Sequence, residues 1–220
     1  MSWNWSYAFD ILPQLARAAL VTVEAALCGF AVALVAGLFL AIARRSRHRM
    51  VSYPIGLAIE FVRSTPLLIQ LYFVYFGLPQ FGIYPTPFIT GVLAFGLHFS
   101  TYISEVYRAG LDGVPRGQWE AATALNFSAW DRLAYVIIPQ AIPPIVPALG
   151  NYFVLMIKDT PVLAAITVLE LLQTARQIAS QSFRYLEPLT MVGVFFLILS
   201  VLAAVGIRQI ERRLAARTSR

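Results

Sequence analysis

Charge is what this sequence has least of. Only 13% of its 220 residues are charged and 59% are hydrophobic, whereas a soluble domain carries about 25% charge. That balance excludes an ordinary soluble domain and describes an integral membrane protein, read as one transmembrane domain over residues 1–220; the spans below make it all-α. Cysteine is nearly absent: Cys28 stands alone in an apolar run, which excludes a disulfide framework and a cysteine metal site. The two histidines, His48 and His98, are far apart and lack ligand spacing, so no metal is expected. Lysine is almost missing too. Lys158 is the only one, so the net charge of +6 comes from arginine. In an apolar chain such charge sets membrane orientation and does not bind nucleic acid.

Chemical motifs are missing as well. No G-x-x-x-x-G-K-[ST] stretch exists to cradle a nucleotide, and no G-x-S-x-G elbow presents a nucleophile. An enzyme is therefore not expected, and no cofactor is expected in this chain. Residues 1–10 lack the basic start of a signal peptide. They carry Trp3, Trp5, Tyr7 and Phe9 instead, side chains suited to a membrane interface. A short interfacial helix before the first span is the expectation. No tandem repeat or low-complexity linker suggests a second domain.

A membrane helix needs roughly 20 mostly apolar residues. Residues 25–43 are uncharged and anchor span one, which begins near residues 13–18. Gly29 and Gly37 within it permit close helix packing. Arg44, Arg45, Arg47 and Arg49 end it and mark a cytoplasmic side, leaving the N-terminus outside. Residues 64–104 hold no charge except the titratable His98. Gly77, Pro79, Gly82, Pro85 and Pro87 divide that run by a turn. Span two is then 53–78 and span three 86–111. Residues 133–157 form span four, interrupted by Pro139, Pro143, Pro144 and Pro147, each of which removes a backbone donor. Residues 162–169 are too short to cross and read as an outer or re-entrant helix. Residues 173–187 read as a polar outer segment. Residues 189–207 form span five, followed by Arg208, Arg212, Arg213, Arg217 and Arg220 on the cytoplasmic side. Five transmembrane helices result, N-terminus out and C-terminus in.

Between spans three and four lies EAATALNFSAWDRLAYVIIP, residues 120–139. It is polar and helix-capable. Trp119, Ala122, Thr123 and Asn126 fall near one face at helical spacing, continued by Phe127 and Trp130. A helix here lies outside the bilayer core, on the cytoplasmic side, where a soluble partner can grip it. Other polar residues interrupt apolar stretches, where burial is costly and points to function. Arg63 precedes Ser64-Thr65-Pro66, where Pro66 can break the helix, and Gln70 follows two turns on; they form a gate or line a solute path, or Arg63 snorkels to lipid phosphate. Glu105 and Arg108 pair on one face of span three, for transport or as a structural pair near the interface. Lys158 and Asp159, at the end of a broken helix, hold a zwitterion or neutralise each other. His98 reads as a hydrogen bonder between helices rather than a proton relay.

The 120–139 stretch resembles the signature of ABC importer permeases: Glu-Ala-Ala, then Gly, then Ile-x-Leu-Pro. Glu120, Ala121 and Ala122 match, Asn126 stands where Gly is usual, and Val136, Ile138 and Pro139 follow. Asn tolerates the left-handed backbone a helix end requires. VRSTPLLIQLYFVYFGLP, YISEVYRAGLDGVPRGQWEAA and IPQAIPPIVPALGNYFVLMIKDT are similar to blocks of polar amino acid ABC permeases, over most of residues 15–210. Departures are Ser64 and Asn126 for Gly, Pro143 or Pro144 for Arg, and Pro161-Val162 for Ser-Leu. LYFVYFGLPQFGIYP, EAATALN, QAIPPIVPALGNY and FRYLEPLT look most like permeases of ectoine and hydroxyectoine importers.

The resemblance implies the type I importer fold in the bacterial cytoplasmic membrane, with a coupling helix at about 117–127. Its contact set is Gly117, Glu120, Ala121, Ala122, Asn126 and Pro139. It also implies two ABC ATPase subunits that hold the ATP and magnesium, a second permease chain (this one or a paralogue) and an extracytoplasmic solute-binding protein. Arg63, Gln70, Glu105, Lys158 and Asp159 are the candidate pathway residues. An ion-gradient transporter and a membrane scaffold are the alternatives. The first is often built from inverted repeats, which this sequence does not display.

Overall fold

The structure is a computed structural model that describes residues 3–218, with side chains described as far as residue 214. Every element among the described residues is helical. The first, α1, runs Trp5–Arg44 without a break. At about 1.5 Å per residue it is about 60 Å long, twice the hydrocarbon thickness of about 30 Å. Asn4 caps it, its side-chain oxygen accepting from the Tyr7 N–H at 3.1 Å. The expected separate interfacial helix is therefore absent. Pro13 lies inside α1, and the buried stripe of Ala8, Ile11, Leu15, Ala18 and Ala19 continues through it. Burial of that stripe outweighs the hydrogen bond the proline removes.

Two helices then replace the expected second span. These are α2 (Arg49–Arg63) and α3 (Leu67–Gly77), the latter extended by a 3₁₀ turn at Leu78–Phe81. They meet at a bend of 107°. Pro66 is extended and caps α3, so the helix must stop before it. Next come α4 (Pro87–Asp112) and the short α5 (Arg116–Ala124). α6 (Ala129–Asp131) passes through a π turn at Arg132–Ile137 into α7 (Ile138–Asp159). The outer or re-entrant helix expected over residues 162–169 is not a separate element. Residues 160–166 are a 3₁₀ turn that continues α7 and ends where Thr167 turns left-handed at φ 63°. The expected polar outer segment is a helix, α8 (Leu171–Ser182), and α9 (Leu186–Thr218) completes the fold. The side chains of Arg217 and Arg220 lie outside the described residues.

Three of these helical runs are long and apolar enough to cross a membrane: Trp5–Arg44, Ala129–Ile166 and Leu186–Leu214. A fourth is added if the bent α2–α3 pair forms one span. This is fewer than the five expected. α4 matches the expected bounds of span three, but Thr90, Ser100, Thr101 and Ser104 are buried along it, and they dilute its apolar character. Their hydroxyls are satisfied within the helix: Ser100 donates to Leu97 O and Ser104 to Thr101 O, each at 2.7 Å.

The fold is built on the packing of α1 against α4. Ala25, Ala26, Gly29, Ala33 and Gly37 form a small-residue stripe on α1. A Cβ on Gly96 would fall 2.3 Å from Val32 Cγ1, and one on Gly37 2.8 Å from Ile103 Cγ2. Such closeness strengthens van der Waals packing, the main attraction between helices where lipid is as apolar as the side chains. Phe95, Phe99 and Ile103 of α4 are fully buried in the resulting core, with Leu71, Met156, Leu163 and Ile166. α9 joins through Gly150, whose Cβ would lie 2.4 Å from Ile207.

At the far end from α5, polar contacts tie α8 to its neighbours. Thr22 Oγ1 accepts from the Leu171 N–H at 3.1 Å. The buried Glu170 caps α8 by accepting from Leu172 N and Gln173 N. Tyr7 donates to Ser182 at 2.6 Å, and Arg184 pairs with Glu187 and lies over the Tyr7 ring.

This packing carries two testable consequences. Gly96→Leu overpacks the α1–α4 contact and costs about 1–3 kcal/mol or more, seen as a lowered thermal midpoint in detergent. Gly77→Ala, with nothing within 4 Å, leaves the midpoint nearly unchanged. Burial pushes the Glu170 carboxyl up to about 6 from its ordinary 4.5, against the pull of its two N–H donors. Because the folded value is raised, the stabilisation is complete below pH 4.5 and is lost as pH rises through about 6. Its size is about 2 kcal/mol. The difference in thermal midpoint between Glu170→Gln and the parent should change across that window and level off above it.

Candidate functional site

The best-defined polar structure outside the long helices is the hairpin formed by α5, α6 and the π turn. Gly113 ends α4, and the extended Pro115 starts α5. Val114, Ile137 and Ala141 form a small core beneath the hairpin, with Leu111, Trp119, Leu133 and Val136 packed on it. Ala122 is buried, while Glu120, Ala121, Thr123 and Asn126 are exposed. The expected shared face therefore divides: Trp119 and Ala122 turn inward, Thr123 and Asn126 outward.

The exit from α5 is a Schellman motif. Phe127 N donates to Ala122 O at 3.1 Å and Asn126 N to Thr123 O at 3.0 Å. Asn126 sits left-handed at φ 60°, the conformation expected from its standing in place of glycine. Ser128 then caps α6, its Oγ accepting from Asp131 N at 3.1 Å. The π turn answers Pro139. Ile138 N donates to Leu133 O, five residues back, and the wider turn relieves the clash a proline makes with the preceding turn.

A brace that sequence reasoning missed holds the hairpin together. Arg132 donates to Thr123 Oγ1 at 2.7 Å, and Thr123 donates in turn to Trp119 O at 2.8 Å. The Arg132 guanidinium lies 5.8 Å from the centre of the Trp119 ring. Gln140 donates both to Gln118 Oε1 at 3.2 Å and to Val136 O at 2.8 Å. Only the pairing of an arginine with a tryptophan thirteen residues earlier hinted at this. Trp119, Glu120, Thr123, Ala124 and Arg132 line a shallow groove of about 560 Å³. Leu125 and Trp130 beside it are 73% and 72% exposed, an apolar surface that invites a partner. Gly117 is exposed with nothing within 4 Å of a Cβ. No internal contact requires glycine there.

The candidate pathway residues divide into three places. Gln70 is buried and fully engaged. Its Nε2 donates to Val62 O at 2.6 Å and to Thr65 O and Oγ1 at 3.0 and 2.7 Å. His98 Nδ1 lies 3.1 Å from its Oε1, so Gln70 fastens the α2–α3 break to α4, and His98 is the interhelical hydrogen bonder expected of it. Arg63, at the end of α2, lies 5.1 Å from the centre of the Tyr102 ring, which faces His98 and Tyr152 at 5.2 and 5.6 Å. Glu105 binds Arg44 at 3.1 Å and Arg108 at 2.6 Å, while Asp112 binds Arg45 at 2.5 Å and Arg108 at 3.2 Å. That network joins the ends of α1 and α4. Lys158 lies elsewhere, exposed in a groove between α7 and α9 with Ser200 and Arg208. Asp159 is half-buried beside it. The structure thus joins Arg63 and Gln70 around one aromatic cluster and places Lys158 in a different groove.

Long apolar helices and a braced polar hairpin at one end define a membrane subunit that a soluble partner can hold. The profile of the "Binding-protein-dependent transport system inner membrane component" family matches residues 33–216. The chain belongs to that family: it is a multi-pass inner membrane permease component, and not itself catalytic. Systems of this kind work with a binding protein and an ATPase. The chain is 46% identical over 212 residues to a probable amino-acid ABC transporter permease, y4tG, of Sinorhizobium fredii, covering 96% of this chain and 92% of that one. It is 33% identical over 216 residues to the glutamine transport system permease GlnP of Escherichia coli, covering 97% and 99%. Among solved structures it resembles a chain from a crystal structure of an amino acid ABC transporter with histidines. The TM-score there is 0.90 at 32% identity, over 97% of this chain and all of the other. The methionine transporter MetNI shares the fold, with a TM-score of 0.71 at 18% identity.

The left-handed Asn126 generates a direct check. Asn126→Val places a β-branched residue at positive φ, at a cost of about 1–2 kcal/mol. Amide hydrogen exchange over residues 120–127 should speed up in that variant and stay unchanged in Asn126→Gly.

Proposed function

We propose that this chain is the pathway-forming subunit of an ATP-driven importer of a small polar zwitterion, with amino acids as the substrate class. The observation that carries the reading is the braced α5 hairpin, which bears Glu120 on its exposed side. The amino-acid relatives of near-equal length support the substrate class. Five spans, with the N-terminus out and α5 in the cytoplasm, agree with the basic clusters after α1 and along the end of α9. In this account α4 and the α2–α3 pair each count as a span. Two such chains, or this one and a paralogue, form the pathway. Two ATPases grip Gly117, Glu120, Ala121 and Asn126, and Pro139 lies at the root of the hairpin. Closure of the ATPases on ATP draws the two hairpins together and turns the pathway outward.

Arg63 with its aromatic neighbours, and Asp159 with Lys158, supply charges of both signs for a zwitterion. Gln70 and Glu105 act by holding the helices that carry them. Ectoine or hydroxyectoine is a second reading, favoured by the stretches LYFVYFGLPQFGIYP and FRYLEPLT. It is a zwitterion of the same class. Uptake into proteoliposomes separates the two, with the chain, its ATPase and any paralogue in the membrane and the binding protein outside. ATP-dependent uptake of glutamine, arginine or histidine supports the amino-acid reading. Uptake of ectoine alone supports the second. Flux that ignores ATP and follows an ion gradient rejects the importer.

Two substitutions probe the roles. Glu120→Arg should leave the chain folded in the membrane but separate ATP hydrolysis from uptake; normal uptake removes Glu120 from the ATPase contact. Asp159→Asn should lower uptake several-fold without changing ATPase binding, and full uptake would take Asp159 out of the pathway.

A further inference from the structure

Beyond the ion pairs of Arg44 and Arg45, the elbow between α1 and α2 has no role above. Arg44, Arg45, Arg47 and Arg49 crowd within six residues there. Two carboxylates reach them, Glu105 and Asp112, and both are shared with Arg108. Arg47 and Arg49 have no acidic partner among the described residues and are exposed. The elbow therefore carries a surplus of positive charge. Beside it is a cavity of about 790 Å³, lined by Arg44, Arg49, Ser52, Tyr53 and Leu57, with Glu60 at its far end. Glu60 faces Arg63 at 3.8 Å, which offsets its charge. Arg44 Cζ lies 3.8 Å from where a Gly56 Cβ would be, so the guanidinium lies over a gap in α2.

α2 itself is unusual. Ile59 is its only buried residue. Met50, Tyr53, Leu57 and Phe61 recur at helical spacing and are 91%, 69%, 56% and 71% exposed. The 107° bend turns α2 across the direction of α3. An apolar stripe and a basic start suit the α2 end of this bent span to the boundary between headgroups and acyl chains. Basic cavities at that depth bind anionic headgroups.

We propose that the α1–α2 elbow is a binding site for the phosphate headgroup of an anionic phospholipid, whose acyl chains lie along the Met50–Phe61 stripe. The bound phosphate supplies the counter-charge that Arg47 and Arg49 lack, beside the Arg44 guanidinium already paired with Glu105. Glu60 limits the site to a single headgroup of modest charge.

The test is native mass spectrometry of the full chain released from detergent, titrated with phosphatidylglycerol, phosphatidylcholine or inorganic phosphate. The expected result is about tenfold or greater preference for phosphatidylglycerol over phosphatidylcholine. That preference should be lost in Arg47→Gln/Arg49→Gln. Gly56→Phe should lose it too, since it fills the cavity without changing charge. Equal binding of the two lipids overturns the proposal, as does full preference in both variants. Displacement of the lipid by inorganic phosphate assigns a free-anion site and overturns the lipid. A variant that keeps lipid preference but fails to assemble with the ATPase assigns the face to that protein instead. Circular dichroism of each variant confirms that it retains its helices.

Discussion

Close approach of α1 and α4 is the contact on which the other parts rest. Inside a bilayer, apolar burial gives helices little reason to associate, so packing density must hold them together. Gly29, Gly37 and Gly96 remove the side chains that would keep the two backbones apart. The buried aromatic rings of α4, Phe95 and Phe99, then present a surface to α3, α7 and the 3₁₀ turn after α7. α9 seats on α7 through Gly150 and Ile207. The ion-pair network of Arg44, Arg45, Glu105, Arg108 and Asp112 ties the same two helices at one end, beyond the reach of the glycine contacts.

The hairpin after α4 is rigid for a different reason. Its ends are fixed by a Schellman turn, a serine cap and a π turn. Its two sides are joined by Arg132, Thr123 and Trp119. Nothing in that arrangement is a hinge. Trp119 packs on Ile137 and Ala141 beneath the hairpin, which joins α5 to α7. α7 in turn contacts α9, α4 and α1.

Much of this was legible in the residues. Arginine runs marked the end of α1 and the second half of α9, because charge cannot remain in hydrocarbon. Asn126 in place of glycine told of a left-handed turn before any backbone was drawn. Pro66 announced the break between α2 and α3, though not its 107° angle, which depends on Gln70 reaching back across the break and on His98 beyond it. The expected interfacial helix did not separate from span one, since a tertiary stripe carried α1 through Pro13. The 160–166 turn and α8 were obscure because a 3₁₀ turn has no apolar period of its own, and because Glu170 caps α8 from a buried position that composition does not reveal. The pathway candidates were chosen as polar residues in apolar runs. That rule found Gln70 and Glu105 equally well, whether their partners are solute or, as here, neighbouring helices.

The central claim is that the α5 hairpin moves as one body with α7. Pulsed electron paramagnetic resonance measures it most directly. Spin labels go on the exposed positions 116 and 151, in a chain with Cys28 replaced by serine and assembled with its ATPase. The account predicts that the distance within one chain stays the same with and without ATP, while uptake remains ATP-dependent. A change in that distance on adding ATP would mean that the hairpin swivels on its own, and the rigid connection described here would be wrong.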